Sequence, residues 1–437
     1  MKLPSKQVHP RSARHTLALL LLVGGLACGP EPPPPSVVVI TLDTTRVDAL
    51  GVYQGSGSTP VLDAFAGRAT RFEQAFTTAP YTGPAHASLL TGQNPPRHGL
   101  RDYLEQALPE RATTLAEILQ ARGYQTAAFV SSYVLDPRFG LDQGFDVYTA
   151  PARNGAKREH WRPGPETVGQ ALEWLRGREA ERPFLLWVHL YDAHRPYAPP
   201  ERHRRPLARG VQPGSSEARR QRYYEQLSVL DEEVGRILGA LPHPDETLVV
   251  IAADHGELLG EHGRRFGVHS HALVDATLRV PLLMRIPGGL PVGVQERPVS
   301  VIDVLPSLLQ ALELPVPEDV EGKSLLASPG VDVPVYSETF YEFVGRAGDG
   351  KEMASLRDGR FVLVSRPGRD ELFDLESDPA EQEDVSIQHP ESLVRLQRKL
   401  AELQRGWSGL PSVRSLDLEG EERSNHEAHL RALGYIE

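Results

Sequence analysis

Val37-Val38-Val39-Ile40-Thr41-Leu42-Asp43-Thr44-Thr45-Arg46 is the stretch that decides the fold. Its first four residues are β-branched and unbroken by polar side chains, which suits a strand covered on both faces, as in the parallel sheets of α/β proteins. Similar runs recur at Ala127 to Val130, Phe184 to Leu190, Leu248 to Ala252 and Val280 to Met284. Helical patterns fall between them. Thr114 with Glu117 makes a capping box whose helix Gly123 closes. Leu227, Leu230, Val234, Ile237 and Leu241 share one helix face. Strands alternating with helices predict an α/β fold, a large mostly parallel sheet sandwiched by helices, over residues 36–332. From about Val333 the texture changes. Arg360-Phe361-Val362-Leu363-Val364 has the look of a short antiparallel strand, and Leu393, Leu396, Leu400 and Leu403 line one helix face. Residues 333–437 are therefore expected to form a small C-terminal α+β subdomain.

Outward from that core, the N-terminus has a different character. Lys2, Lys6, Arg11 and Arg14 precede an apolar run from Leu17 to Ala27. A basic segment followed by a short apolar one is the pattern of a signal peptide, here residues 1–27, and the run is shorter than the ~20 residues that a membrane span needs. Cys28 is the only cysteine and stands where the signal would be cut. The expectation is a lipobox with Cys28 acylated, followed through residue 35 by a Pro-rich spacer that holds the domain off a bilayer. The protein is thus expected to be exported and lipid-anchored in a bacterial cell envelope, facing the periplasm or the cell surface, with the anchor as its only membrane contact. A net charge of −11 gives a nucleic-acid partner no electrostatic support.

In open parallel sheets the chemistry gathers at the carboxyl ends of the strands. Asp43 follows the first run, and Asp254-His255-Gly256-Glu257 follows the run ending at Ala252. Two acidic strand ends plus an imidazole are a donor set for one divalent cation, with calcium, manganese, magnesium and zinc all compatible and a second cation open. Glu257 is expected to support the ligands rather than bind. A further segment, Pro80-Tyr81-Thr82-Gly83-Pro84-Ala85-His86-Ala87-Ser88-Leu89-Leu90-Thr91-Gly92, places a hydroxyl before a helix, where Thr also suits an N-cap and where anions are attracted.

Taken in order, these stretches resemble the sulfatase family of the alkaline phosphatase superfamily. The resemblance rests on LDTTR at Leu42 to Arg46, the helix ending Ser88-Leu89-Leu90-Thr91-Gly92, YDAHRPY at Tyr191 to Tyr197 and ADHGELLGEH at Ala253 to His262. It continues through LRVPLL at Leu278 to Leu283, VIDVLPSLL at Val301 to Leu309 and ELFDLESDPAEQEDV at Glu371 to Val385. It implies a cation on Asp43, Thr82, Asp254 and His255, and an anionic sulfate- or phosphate-ester substrate. It also implies that His194 contacts the transferring group or protonates the leaving oxygen. Arg46 and His86 become candidate anion contacts. Asp192 is a candidate for a second cation. One of His269 and His271, with His271 favoured, stands where many family members place a Lys against the sulfate.

One departure bears on mechanism. Main-type sulfatases convert a Cys or Ser to formylglycine in a Cys-x-Pro-x-Arg pattern. That position is Thr82 here, with Pro84 two residues on and His86 in place of the Arg. Thr cannot give the same aldehyde hydrate, so a direct Thr nucleophile is expected, as in the superfamily's phosphodiesterases and phosphoethanolamine transferases. The competing readings are an envelope phosphoethanolamine- or phosphoglycerol-type transferase and a non-catalytic surface-binding lipoprotein on the same scaffold. Arg202, Arg204, Arg205, Arg209, Arg219, Arg220 and Arg222 form a basic stretch that suits either a solvated loop or the steering of an anionic substrate.

Overall fold

The computed structural model describes residues 1, 34–55, 57–102, 106–151, 160–261, 266–327, 333–340, 352–411 and 414–433. Residues 2–27 of the signal segment, Cys28 and His262 lie outside the described residues. The strands are β1 (Val37–Leu42), β2 (Thr70–Phe76), β3 (Gln106–Ala107), β4 (Gln125–Val130), β5 (Val147–Thr149), β6 (Phe184–Leu190), β7 (Leu248–Ala252), β8 (Arg279–Arg285), β9 (Gly293–Gln295), β10 (Val299–Ser300), β11 (Val335–Thr339), β12 (Met353–Asp358), β13 (Phe361–Arg366), β14 (Arg369–Asp374) and β15 (Arg414–Ser415). The helices are α1 (Pro60–Ala66), α2 (Thr82–Thr91), α3 (Pro95–His98), α4 (Leu115–Gln120), α5 (Gly164–Gly177), α6 (Ser216–Ala240), α7 (Asp275–Leu278), α8 (Val304–Ala311), α9 (Pro390–Trp407) and α10 (Gly420–Leu433).

The large sheet runs β10-β2-β8-β7-β1-β6-β4-β5, with β9 also on β2. Alternation within β1 explains the sandwich. Val37 and Val39 pack with Ala87 and Leu90 of α2, Leu119 of α4 and Leu308 of α8. Val38, Ile40 and Leu42 face the other way, toward Phe65 of α1, Ala171 of α5 and Leu230 and Val234 of α6. Both faces of the strand are covered, and its one polar residue, Thr41, is buried with its hydroxyl bonded to Trp187 and His86. The capping box at Thr114 and Glu117 opens α4 as expected, and Gly123 adopts φ +83° just beyond it.

Register then fixes the site. β1 pairs in parallel with β6 and β7, setting Thr41 opposite both His189 and Ala252. Asp43, the residues after β6 and the residues after β7 therefore emerge side by side. β8 departs from the expected parallel arrangement, running antiparallel to both β7 and β2. The physical reason is the connection. The chain leaves β7 at the site edge, forms the site loop and the short α7 there, and re-enters the sheet from that same edge, so β8 must run back.

The C-terminal part is a separate four-stranded antiparallel sheet, ordered β11-β12-β13-β14. Leu396, Leu400 and Trp407 of α9 cover one face of it, against Tyr336, Leu356, Leu363 and Leu372. From Pro34 onward the chain is one compact unit. The small sheet is tied to the segment that leads into α2, because Glu338 N donates to Thr78 O at 2.9 Å and Ser337 Oγ to Thr77 O at 2.6 Å. Among the described residues no helix is long and apolar enough to cross a membrane.

Candidate metal centre and nucleophile

Asp43, Thr82, Asp254 and His255 converge, each at most 2 % exposed. The donor atoms of Asp43, Asp254 and His255 lie within 4.8 Å of one another. Hydrogen bonding fixes which atoms face inward. Asp254 Oδ1 accepts from Thr44 N at 3.3 Å and from His255 N at 2.8 Å. Asp254 Oδ2 and Asp43 Oδ1 accept no hydrogen bond among the described residues. His255 Nδ1 lies 2.9 Å from the Gly256 carbonyl, so it carries the proton and Nε2 presents its lone pair. Two unsatisfied buried carboxylate oxygens beside a basic imidazole nitrogen are costly alone and fit a divalent cation well. Electrostatics agree. Burial pushes the Asp43 carboxyl up to about 6, and burial followed by Asp43 itself raises Asp254.

Thr82 is the first residue of α2. Tyr81 holds the N-cap position, and no side chain caps the helix. The Thr82 hydroxyl is therefore not used as a cap. It donates to Asp43 Oδ2 at 3.2 Å and stands 3.4 Å from His255 Nε2. The start of α2 turns its amide dipoles toward this point, which favours an anion there.

The remaining predicted residues divide. His194 is in the site, stacked on Tyr191 with ring centroids 4.4 Å apart and meeting His269 edge-on at 5.5 Å. Its Nδ1 lies 2.8 Å from the Arg195 carbonyl, which leaves Nε2 the basic nitrogen, and burial lowers its pKa to about 3. His269 faces the site. His269 is buried, stacks on His255 at 4.4 Å and donates to Pro80 O at 2.9 Å, whereas His271 is only half-buried.

Three candidates sit differently from expectation. Arg46 is not available to an anion. Asp48 takes its Nε and NH2 at 2.8 and 2.6 Å, and Glu261 and the Glu257 carbonyl take NH1, both at 2.9 Å. His86 is likewise engaged at both nitrogens, by Thr82 O at 2.8 Å and Thr41 Oγ1 at 3.0 Å. It holds the Thr82 backbone. Burial keeps it neutral, with a pKa lowered to about 3. Asp192 receives Gly164 N at 2.9 and 3.1 Å and so caps α5. A Cβ on Gly164 would lie 2.5 Å from that carboxylate. Glu257 accepts from Tyr197 Oη at 2.7 Å, and burial pushes its carboxyl up to about 8.

His189 was missed by sequence reasoning. It is fully buried, and its Nδ1 accepts from Ser131 N at 3.3 Å, so Nε2 carries the proton and donates to Asp43 Oδ2 at 3.3 Å. Its donor atom also clusters with His86 and Asp254. Both imidazoles of that second cluster already have hydrogen-bond partners: His189 steadies Asp43, and His86 holds the Thr82 backbone and Thr41. The signal was present as a lone imidazole in the otherwise apolar run Phe184 to Leu190.

Residues 35–314 match the family model described as Sulfatase, and residues 260–406 match one for the C-terminal part of N-sulphoglucosamine sulphohydrolase. The chain is 30% identical over 341 residues to an ulvan-active sulfatase of Formosa agariphila, covering 68% of this chain and 65% of that protein. It is 23% identical over 432 residues to an arylsulfatase of Clostridium perfringens, covering 79% and 89%. A phosphonate monoester hydrolase of Agrobacterium radiobacter has the same fold, with a TM-score of 0.71 at 21% identity over 85% of this chain and 96% of that one. The chain belongs to the sulfatase family.

Proposed function

We propose that this sulfatase-family chain hydrolyses sulfate or phosphate esters with Thr82 as the nucleophile, and that phosphoester or mixed activity comes first. The observation that carries the reading is the Thr82 hydroxyl, 3.2 Å from Asp43 Oδ2 and 3.4 Å from His255 Nε2 at the start of α2. Family membership points to sulfate, and a Thr in the formylglycine position points to phosphate.

Asp43, Asp254 and His255 would hold a divalent cation together with Thr82. When bound, that cation lowers the pKa of a hydroxyl and offsets charge on a non-bridging ester oxygen. The protein's own groups supply the rest. Thr82 Oγ1 is aimed by its hydrogen bond to Asp43, which is also where its proton can go. His86 fixes the Thr82 carbonyl and so the direction of the hydroxyl. In the first step Oγ1 bonds to sulfur or phosphorus as the bond to the alcohol oxygen breaks, and the alcohol leaves with a proton. In the second step water displaces the group from Thr82, regenerating the hydroxyl and releasing the inorganic anion. His194 is neutral at rest. An arriving anion offsets the burial penalty, so Nε2 can take up a proton and pass it to the leaving oxygen.

Parallel turnover of aryl sulfate, phosphate monoester, phosphodiester and phosphonate monoester, each with calcium, manganese, magnesium and zinc, tests this. We expect at least one ester to be cleaved in a cation-dependent way, and Asp254→Ala to abolish it. Cation-independent turnover, or full activity in Asp254→Ala, refutes the reading. We also propose that acylation of Cys28 anchors the protein in the cell envelope. If Cys28→Ser stays with the membrane fraction, that part fails.

A further inference from the structure

The last described helix, α10, buries one face, made of His426, His429, Leu430 and Leu433 at spacings of three and four residues. Leu430 is fully buried. Its leucines join neither core of the large sheet nor that of the small one. They form a separate buried cluster with Ala79, Tyr81, Tyr133, Val134, Phe139 and Tyr191. Those six residues come from three segments: the one leading into α2, the one following β4 and the one following β6. The last two leave the carboxyl ends of parallel strands, and the first carries the nucleophile helix.

Each segment leads to a group of the site. Tyr81 is fully buried at the N-cap position of α2, directly before Thr82, and its Oη donates to Arg101 O. Tyr191 stacks on the His194 ring, with centroids 4.4 Å apart and planes 16° apart, and His194 N donates to Tyr191 O at 3.0 Å. Tyr133 lies two residues past Ser131, whose amide bonds His189. α10 holds Tyr133 at two points. The His429 ring stacks on it at 3.9 Å, and His426 Nδ1 lies 3.1 Å from its Oη. Two buried tyrosines next to Thr82 and His194 thus depend on the leucines of one helix. Small displacements matter there, because a shift of ~1 Å in a reacting group can cost ~10²-fold in rate.

We infer, resting on the ester-hydrolase reading above, that α10 is a positioning element of the catalytic site. Through Leu430 it holds Tyr81 and Tyr191, and through them the Thr82 hydroxyl and the His194 ring.

Leu430→Ala opens a gap in this cluster. Its kcat on a 4-nitrophenyl ester should fall about tenfold or more, with KM and the manganese Kd each within about twofold of the wild type. The loss should be larger on the phenyl ester, because phenoxide needs the proton from His194 more than 4-nitrophenoxide does. Leu430→Met, which nearly conserves volume, should recover most of the activity. Leu396→Ala, in the core of the small sheet, should lower the melting temperature comparably and leave kcat unchanged. A kcat in Leu430→Ala within about twofold of the wild type, or equal losses on the two esters, overturns the inference while leaving the hydrolase reading intact. Should Leu430→Ala not fold, Leu430→Val is read in the same way. Should the wild type cleave no ester, the hydrolase reading fails, and the NMR signal of the His194 ring, assigned through His194→Gln, decides the positioning. A signal displaced in Leu430→Ala and unmoved in Leu396→Ala upholds it, and any other pattern overturns it.

Discussion

Asp43→Asn should make the cation-free protein more stable and the cation-loaded protein less so. The wild type buries Asp43 and Asp254 side by side, each fully desolvated, and the Asp43 carboxyl rises from 3.8 to about 6. That shift of about two units corresponds to ~3 kcal/mol held against folding once Asp43 ionises. The sign follows from the direction. A raised carboxyl adds stability below its unfolded value, near 3.8, and loses it as pH rises through about 6. Asn removes that loss while leaving the Thr82 hydroxyl an acceptor in the amide oxygen. In chelator the variant should therefore gain ~2–3 kcal/mol over the wild type at pH 8 and almost nothing near pH 4. With free cation at 100 times its Kd, the wild type should gain ~2.7 kcal/mol and Asp43→Asn far less, so the order narrows or inverts. Urea denaturation at the two pH values, with chelator and with manganese or calcium, reads all four states. The reasoning is wrong if cation-free Asp43→Asn is less stable than the wild type at pH 8, or if both proteins gain equally from the cation.

Other outcomes follow from the same geometry. Thr41 Oγ1 accepts from Trp187 Nε1 at 3.0 Å and bonds His86 Nε2 at 3.0 Å, so Thr41→Val should cost ~1–3 kcal/mol and lower kcat more than it raises KM, read by thermal melts and kinetics. Burial lowers His86, His98 and His194 to about 3 and His189 to about 4. Depressed histidines add stability above their unfolded value, near 6.5, and lose it as pH falls toward the folded values. Each contributes a slope of up to ~1.4 kcal/mol per pH unit, opposed over the same range by the raised carboxyls of Asp43, Asp192, Glu257 and Asp303. His98→Gln, outside the metal centre, should therefore make the urea midpoint fall less between pH 6.5 and 4.5 than in the wild type, and an unchanged difference between the two pH values contradicts the burial. Gly164→Ala should loosen the Asp192 cap and cost ~1–2 kcal/mol without changing cation affinity, because Asp192 caps α5. A lost equivalent of bound cation in Gly164→Ala would instead place Asp192 at a second metal.

Much of this was legible in the chain because the strands are short, apolar and buried on both faces, and because register delivers whatever follows them to one edge. Asp43, Asp254 and His255 were visible for that reason, and Thr82 through the helix that begins there. Four things were not visible. The direction of β8 depends on the loop after β7 staying at the site edge, which its own apolar pattern does not encode. Arg46, His86 and Asp192 have the right chemistry at the right ends. Their hydrogen bonds go to Asp48 and Glu261, to Thr41 and Thr82 O, and to Gly164, and only packing decides that. His189 was hidden in the opposite way, since a strand pattern hides a residue whose role comes from the neighbour across the register. That His269 stacks on His255 is likewise a tertiary fact.

The central claim is that Thr82 forms the covalent bond. Intact-mass and peptide mass spectrometry after acid quench during turnover of a good ester tests it most directly. The account calls for a sulfo or phospho adduct on the peptide containing Thr82, absent in Thr82→Ala, whose turnover should fall by three orders of magnitude or more, on the scale of losing a catalytic nucleophile. An unmodified Thr82 peptide together with wild-type turnover in Thr82→Ala would contradict it.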